Sequence, residues 1–385
     1  MTSSTSGAER SRLESLIVWF DAYEPADAAR VGGKCASLGA MTRADLPVPP
    51  GFAISTDAYL ASMARNEVGP KIMANLAGLD VSDLAHLERA ARGARQDILD
   101  SGPATDVEAA VRTAYTELCE RTATADVPVA VRSSANAEDQ PDASFAGQQD
   151  TYLWIRGADE VVNHVVRCWA SLYTDRAIAY RHEQGYPDDE VAMSVAVQQM
   201  VMPKAAGVAF TLDPTNGDRS KIAIDSAFGL GETVVSGTVT PDNYLVDKVV
   251  FEIVKRVVST KEVECVLDPV ADAVVHRELP AERAGEPSLT DAEVRAVARL
   301  ARQAEKHFGR PQDIEWAVTV TPTGANDAGG DEDSSSGTSV IHLLQSRPET
   351  VWSNKPRVSV SQGVGSSMDG IVATLLKPVP VKPVD

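Results

Sequence analysis

Cysteine is scarce in this sequence, and its placement excludes the sites that cysteines usually build. The 385 residues include four cysteines, and no two of them form a C-x-x-C pair. Cysteines this far apart do not indicate a disulfide framework or a structural zinc site, so we expect neither. The four are Cys35, Cys119, Cys168 and Cys265.

Positive charge and long apolar runs are also lacking. The chain has 36 Lys and Arg against 55 Asp and Glu, a formal net charge of −19. Such an acidic chain is repelled by nucleic acids and by anionic membranes, so we expect neither as a partner. The polar start of the sequence has no apolar signal core, and no run of about 18 apolar residues could span a membrane. We therefore expect a cytoplasmic protein.

Length and periodicity together predict the organisation of the chain. A chain of 385 residues is too long for one simple core, and helical and strand patterns follow each other in mixed order. This order predicts an α+β fold of two lobes rather than a doubly wound parallel sheet. We expect a disordered lead at 1–13, lobes at 14–200 and 201–352, a flexible acidic loop at 321–339, and a linker or tail at 353–385.

Several segments have clear secondary-structure signatures. The apolar run 127–131 predicts a buried strand, and alternation over 191–202 predicts another. Residues 56–122 have a helical period, and 158–185 predict one long helix or two joined ones. Strong alternation over 244–261 suggests a hairpin, and 288–308 is an amphipathic helix with Ser288 and Thr290 as candidate caps. Strands are also expected at 314–320 and 340–344.

Two cationic residues stand where phosphate could bind. Lys34 follows Gly32 and Gly33, and glycines allow a backbone to approach a ligand closely. The P-loop pattern is absent, so an exposed lysine at a helix N-terminus is the alternative. Arg132 directly follows an apolar strand, and its planar fork suits phosphate oxygens. An ion pair with a neighbouring acid, Glu138 or Asp139, would explain Arg132 equally well.

Two further pairs occur near the end of the lobes. Asp313 and Glu315 are two apart on a predicted strand and therefore share a face. Carboxylates placed in this way can hold Mg²⁺, although a solvated strand face is the simpler alternative. Gln345 and Arg347 share a face in the same manner. If the two strands pair, an acidic pair and a guanidinium would line one cleft. Phosphoryl transfer requires such a combination of metal-binding carboxylates and a cation.

The amino-acid sequences of several motifs, taken together, indicate a protein family. The segments are VAVRSSANAEDQPDASFAGQQDTYL, GVAFTLDPTNGD, GLGETVVSGTVTPDNYLV, DIEW and LLQSRPETVW, together with Gly33 and Lys34. From about Ile17 to Trp352 the chain resembles the N-terminal ATP-grasp domain of the phosphoenolpyruvate synthase family, to which pyruvate phosphate dikinase and rifampin phosphotransferase are related. The resemblance implies an ATP-grasp fold with the nucleotide cleft between two lobes, and a phosphotransferase that uses ATP and Mg²⁺.

The resemblance also implies roles for individual residues. Catalytic contacts to the ATP phosphates fall on Lys34, Arg132 and Arg347, and the metal pair is Asp313 and Glu315. The nucleotide-binding positions include the small-residue lid, the segment joining the lobes, the glutamate of GLGE and the Gln/Arg pair. These positions are Lys34, Arg132, Ser144, Phe145, Ala146, Gly147, Gln148, Gln199, Met200, Val201, Glu232, Gln345 and Arg347.

The histidine that carries the phosphoryl group in that family is not recognisable here. None of the six histidines lies in the T-x-H-x-A or S-H-x-A setting that the family uses; they are His86, His164, His182, His276, His307 and His342. We therefore expect the histidine on another domain or on a partner chain. The Pro-rich end favours a naturally split dikinase, such as phenylphosphate synthase or a cresol-phosphorylating enzyme.

Other readings of the chain stay open. One is an excised ATP-binding domain of a pyruvate, water dikinase or of a rifampin phosphotransferase. Another is a regulatory module that binds nucleotide without turnover, although the full set of catalytic charges argues against it. The acceptor could be a phenol or cresol, pyruvate or an antibiotic.

Overall fold

The structure is a computed structural model that describes residues 16–135, 139–140, 143–144, 151–187, 191–268, 270–321 and 337–352. For residues 135, 139–140 and 143–144 only the backbone is described. The expected lead at 1–13, the tail at 353–385 and most of the acidic loop at 321–339 lie outside these residues. By their contacts the described residues up to Glu349 form one compact unit.

The first sheet is built by the first half of the chain. Its strands are β1 (Ile17–Trp19), β2 (Gly51–Ile54), β3 (Val129–Ala135), β6 (Thr151–Ile155) and β7 (Met193–Gln199). They lie in the order β1-β2-β7-β3-β6, and every neighbouring pair is antiparallel. Two short strands, β4 (Asp139–Gln140) and β5 (Ala143–Ser144), pair with each other. The predicted strand at 191–202 is confirmed in shortened form as β7.

Helices surround this sheet. They are α1 (Ala28–Arg43), α2 (Thr56–Arg65), α3 (Val68–Leu76), α4 (Leu84–Ser101), α5 (Thr105–Arg121), α6 (Ala158–Ala170) and α7 (Asp175–Gln184). The predicted helical stretch 56–122 is therefore confirmed as four helices, and 158–185 forms two helices joined by the 3-10 turn Ser171–Tyr173. Across the described ranges of the chain, no helix is long and apolar enough to cross a membrane.

The second sheet follows in the second half of the chain. Its strands are β8 (Ala205–Phe210), β9 (Lys221–Phe228), β10 (Asp242–Asp247), β11 (Ile253–Val257), β14 (Gln312–Thr321) and β15 (Thr338–Pro348). They are antiparallel in the order β11-β10-β9-β8-β14-β15. The predicted hairpin at 244–261 is confirmed as β10–β11. The hairpin formed by β12 (Val263–Asp268) and β13 (Ala273–Glu278) was not predicted. The mixture of helices and antiparallel sheets confirms the α+β prediction.

Three more helices belong to this half: α8 (Glu232–Val235), α9 (Ala281–Ala284) and α10 (Asp291–Phe308). Thr290 is the N-cap of α10, and its hydroxyl and the Glu293 carboxylate form a capping box. The alternative cap, Ser288, has another role, because its N–H and hydroxyl both donate to Asp242 at 2.7 Å. The buried face of α10 packs in the core of the second sheet.

Helix α1 connects the two halves. Its buried residues Val31, Leu38 and Met41 share a core cluster with Ile314 and Trp316 of β14. The Ser37 hydroxyl donates to the backbone oxygen of Ser346 in β15 at 2.5 Å. The helix that follows the glycine pair is thereby held against the second sheet.

Candidate functional site

The predicted pairing of the two polar strands is confirmed. In the antiparallel register of β14 and β15, Asp313 lies opposite Arg347 and Glu315 lies opposite Gln345. The Arg347 Nε donates to Asp313 Oδ2 at 2.8 Å. One detail of the prediction was wrong: β15 does not end at residue 344 but continues to Pro348, because its pairing with β14 extends to Gln312. Gln345 and Arg347 are thus held inside a strand.

Arg132 reaches from the first sheet to this pair of strands. Its Nη2 donates to Glu315 Oε2 and to Gln345 Oε1, both at 2.8 Å, and its Nη1 donates to the Leu344 oxygen at 3.1 Å. The side chain is 13% exposed, so these contacts are largely shielded from water. The alternative partners lie outside what is described: Glu138 altogether, and Asp139 in its side chain. The guanidinium therefore joins both halves of the chain at the predicted metal pair.

The position of Arg132 on its strand differs from the prediction. The residue does not follow the strand but lies within β3, which pairs with β7 as far as Ala135 opposite Met193. The apolar run ends at Val131, yet the backbone ladder continues through the polar residues Ser133 and Ser134. Both serines are buried, which an alternation rule based on apolar residues could not indicate.

Lys34 is brought to the same place by a break in α1. Gly32 has φ 66° and ψ 169°, which interrupts the helix two residues before the lysine. The Lys34 Nζ donates to the Ser133 oxygen at 3.1 Å, next to Arg132 in the chain. Ser134 fastens the break, because its hydroxyl donates to the Val31 oxygen at 3.0 Å and accepts from the Cys35 N–H at 3.3 Å. The exposed-lysine alternative does not describe this anchored arrangement.

Replacing Gly32 by Ala should destabilise the protein more than the same change at Gly102. Both glycines occupy nearly the same backbone region, with φ 66° and ψ 169° at Gly32 and φ 65° and ψ −170° at Gly102. A methyl group at Gly32 would lie 2.3 Å from the Ser134 oxygen, whereas nothing lies within 4 Å of one at Gly102. The backbone strain of about 1–3 kcal/mol is common to both variants. Overpacking should add a further loss of about 1–3 kcal/mol in the free energy of unfolding at Gly32 alone. Urea unfolding measures this difference, and equal losses in the two variants would contradict the close approach of Gly32 to Ser134.

Burial affects the ionisation of Asp313 on β14. Burial raises the pKa of Asp313 above its ordinary value, Arg347 opposes the shift, and the neighbouring Glu315 adds to it. Within the described part of the chain no group of three or more metal-binding side chains occurs. Mg²⁺ needs no such cage, because one or two carboxylates together with water and phosphate oxygens usually hold it. Asp313, Glu315 and the amide oxygen of Gln345 therefore fit this ion.

Other predicted positions are placed less directly. Glu232 begins α8, is exposed, and accepts from the Cys265 thiol at 3.8 Å. Burial raises the pKa of that thiol to about 12. In the joining segment, β7 ends at Gln199; the N–H groups of Gln199 and Met200 donate to the Pro50 and Pro128 oxygens at 2.9 Å. Those two donors are already used within the protein. The segment continues through Val201 to β8.

The predicted lid falls almost wholly outside the described residues. Only the backbone of Ser144 is described, in the short strand β5. The remaining positions, Phe145, Ala146, Gly147 and Gln148, lie outside the described ranges. Their role stays a prediction.

A contact missed from the sequence joins the unpredicted hairpin to the first sheet. Asp272, between β12 and β13, accepts from Trp154 Nε1 at 2.9 Å and from Arg156 Nη1 at 3.1 Å. On the other side of the hairpin, the Leu230 N–H donates to the Cys265 oxygen at 2.7 Å. The hairpin thus connects the segment that carries Glu232 to β6.

A third acid also lies on the sheet face that carries the predicted metal pair. Glu315 is paired with Val208, Val208 with Asp225, and Asp225 with Asn243. Residues paired directly across antiparallel strands point to the same face, so Asp225 faces the same side as Glu315. Asp225 was not among the predicted site residues. A lone acid inside the apolar run Ile222–Phe228 is the signal that could have found it.

Comparisons with known proteins agree with this geometry. The sequence profile of the family described as "Pyruvate phosphate dikinase, AMP/ATP-binding domain" matches residues 28–366. The chain is 42% identical over 360 residues to the probable phosphoenolpyruvate synthase of Staphylothermus marinus, in a match covering 88% of this chain and 42% of that protein. It is 40% identical over 356 residues to the phosphoenolpyruvate synthase of Neisseria meningitidis serogroup B, covering 89% and 43%.

A third relative shows the same difference in length. The chain is 44% identical over 302 residues to the probable phosphoenolpyruvate synthase of Methanocaldococcus jannaschii, covering 78% of this chain and 25% of that protein. The chain therefore spans less than half the length of each of these three relatives. The similarity concerns one part of a longer protein in each case.

Proposed function

The chain belongs to the family of the pyruvate phosphate dikinase AMP/ATP-binding domain, and from this premise we propose that it is the ATP-binding part of a dikinase. In the proposed reaction, bound ATP phosphorylates a histidine on a separate domain or partner chain, one water molecule is consumed, and AMP and phosphate leave. The phosphohistidine then phosphorylates a small acceptor. The observation that carries the proposal is the contact of Arg132 and Arg347 with the carboxylates of Glu315 and Asp313, with Lys34 anchored at the Ser133 oxygen next to Arg132.

The three cations would act on the phosphates of ATP. Arg132 and Arg347 present guanidinium groups to the carboxylates of Glu315 and Asp313, and phosphate oxygens suit the same donors. If the oxygens of a triphosphate accept the hydrogen bonds of the two guanidinium groups, both carboxylates become available to bind Mg²⁺. Mg²⁺ bound at these carboxylates would neutralise part of the negative charge of the phosphates. The arginines and Lys34 then stabilise the charge that develops during transfer.

The remaining predicted residues would bind the rest of the nucleotide. Gln345 accepts from Arg132 at 2.8 Å and so orients the guanidinium. Adenine recognition at the joining segment would use its carbonyl oxygens or the N–H of Val201, because Gln199 and Met200 already donate elsewhere. Glu232 lies on the segment after β9, and residues 144–148 would cover the phosphates as the family's lid does.

The phosphoryl acceptor lies elsewhere in this proposal. The matches cover 42% and 43% of the Staphylothermus and Neisseria relatives, which leaves room in those proteins for further domains. The family resemblance supports a histidine in such a domain. The final acceptor would be a phenol or cresol in a split enzyme of the phenylphosphate synthase kind, or pyruvate in a phosphoenolpyruvate synthase.

We expect the chain to bind ATP in the presence of Mg²⁺ and to form AMP only when a histidine domain is added. Isothermal titration calorimetry measures the first step. AMP release, measured with and without the separately expressed remainder of a relative, measures the second, and EDTA serves as the control. Phosphorylation of an acceptor by this chain alone would contradict the division of labour. ATP binding without AMP formation, whichever histidine domain is added, would favour the regulatory module.

A further inference from the structure

The half-buried carboxylate of Asp225 is unused in the proposed reaction. It accepts from the Asn243 amide at 2.8 Å, and among the residues that the structure describes Asn243 is its one hydrogen-bonding partner. A carboxylate offers about four acceptor sites, so one amide N–H leaves most of them unused. Burial raises the pKa of Asp225, and the Asn243 hydrogen bond opposes the shift. Such a desolvated carboxylate is suited to further donors.

The register places Asp225 across β8 from the predicted metal pair. Val208 stands between them, with Glu315 opposite it on one side and Asp225 opposite it on the other. Two strand spacings separate the backbones of Asp225 and Glu315 by roughly 10 Å. Val208, Asp225 and Glu315 are each partly exposed. The three residues therefore form a partly exposed row on the sheet face where Glu315 pairs with Arg132.

The position along β8 decides which part of a nucleotide lies near Asp225. The strand begins at Ala205, four residues after Val201 of the joining segment, and ends at Phe210, which is paired with Asp313. If adenine binds at the joining segment and the phosphates bind at Asp313 and Arg347, the ribose of ATP lies between them, over Val208 in the middle of the strand. Next to the triphosphate, a carboxylate repels the ligand unless it holds a metal or faces uncharged donors. Ribose hydroxyls are uncharged donors.

We propose that Asp225 binds the ribose hydroxyls of the nucleotide and that Asn243 is the positioning residue that orients the Asp225 carboxylate. This inference rests on the proposed function, because it requires ATP to occupy the cleft. It adds a specificity: the site should prefer nucleotides that carry both ribose hydroxyls. Neither Asp225 nor Asn243 is needed for phosphate or metal binding in this arrangement.

The experiment compares ATP with 2′-deoxy-ATP and 3′-deoxy-ATP by calorimetry, using the full chain with Mg²⁺. We expect the wild type to bind at least one of the deoxy analogues about tenfold more weakly than ATP, the usual effect of losing a hydrogen bond to a charged group. The Asp225→Asn variant should bind ATP about tenfold more weakly than the wild type does. Its affinity for that same analogue should stay within about twofold of the wild-type value, because the hydroxyl is already missing. Asn243→Ala should shift ATP affinity in the same direction.

The controls separate this inference from the proposed function. Glu252→Gln, an exposed acid in the turn before β11, should leave all affinities unchanged. A wild type that binds ATP and both deoxy analogues equally overturns the ribose assignment, whether or not the variants fold. An equal loss for all nucleotides in Asp225→Asn, or a loss seen only with Mg²⁺, also overturns it and identifies a structural or a metal role. Failure of the wild type to bind ATP at all would instead contradict the proposed function.

Discussion

The Asp313→Asn variant should lose at least about 100-fold in affinity for Mg²⁺·ATP, because even an outer-sphere partner of a bound metal can contribute that much. The unliganded protein should keep its thermal stability. Burial raises the pKa of Asp313, so the fold disfavours the charged carboxylate, and above that pKa the charge weakens the native state. A neutral amide removes this penalty. The lost contact to Arg347, whose side chain is 48% exposed, is worth about 0–1 kcal/mol.

Asp247→Asn is the matched control for this variant, because its behaviour should be the reverse. Asp247 pairs with Lys221 at 2.9 Å, and chiefly this lysine, with the N–H groups of Val249 and Val250, lowers its pKa to about 2. A lowered carboxyl pKa contributes stability that is present above the ordinary value and is lost as the pH falls towards 2. At neutral pH the control should therefore melt earlier and still bind Mg²⁺·ATP normally. Unchanged Mg²⁺-dependent binding by Asp313→Asn would remove Asp313 from the metal pair.

The strand pair shows how much of the site local pattern can predict. Residues two apart on a strand share a face whatever the rest of the fold does, so Asp313 with Glu315 and Gln345 with Arg347 could be grouped from spacing alone. Their pairing in register required only that the two strands form a hairpin. The α+β class and the helices of 56–122 follow from similarly local periods.

The contact between the halves could not be predicted in the same way. Arg132 and Glu315 are 183 positions apart, and nothing in their spacing selects one partner over the nearby Glu138 and Asp139. Only the family resemblance connected them. Asp225 was missed for a related reason, because its neighbours in the sequence are apolar. It lies in line with Glu315 only when β8 pairs with both β9 and β14 in the folded sheet.

A large effect on stability should come from Lys261, whose replacement by Met should lower the free energy of unfolding by about 3–5 kcal/mol. The side chains of Lys261 and Asp242 are both fully buried, and the Lys261 Nζ donates to Asp242 Oδ1 at 2.6 Å. Asp242 also accepts from the N–H of Ser259 and from the N–H and hydroxyl of Ser288. These contacts tie the segments around β12 and β13 to β10. Replacing the lysine removes the cation that pairs with the buried Asp242 carboxylate and leaves the carboxylate charge uncompensated.

A double variant identifies that uncompensated charge as the cause, and urea unfolding measures it. Adding Asp242→Asn to Lys261→Met removes the buried charge and keeps a side-chain oxygen for Ser288, so the double variant should be more stable than the single one. Lys221→Met breaks the more exposed pair on the same sheet and should have a much smaller effect. If the double variant were no more stable than Lys261→Met, the loss would come from the contact of the Lys261 Nζ over the Phe228 ring and not from the unpaired Asp242 charge. In either case the buried pair acts on the fold, whereas the pairs of Asp313 and Glu315 are partly exposed, so that a ligand could replace their partners.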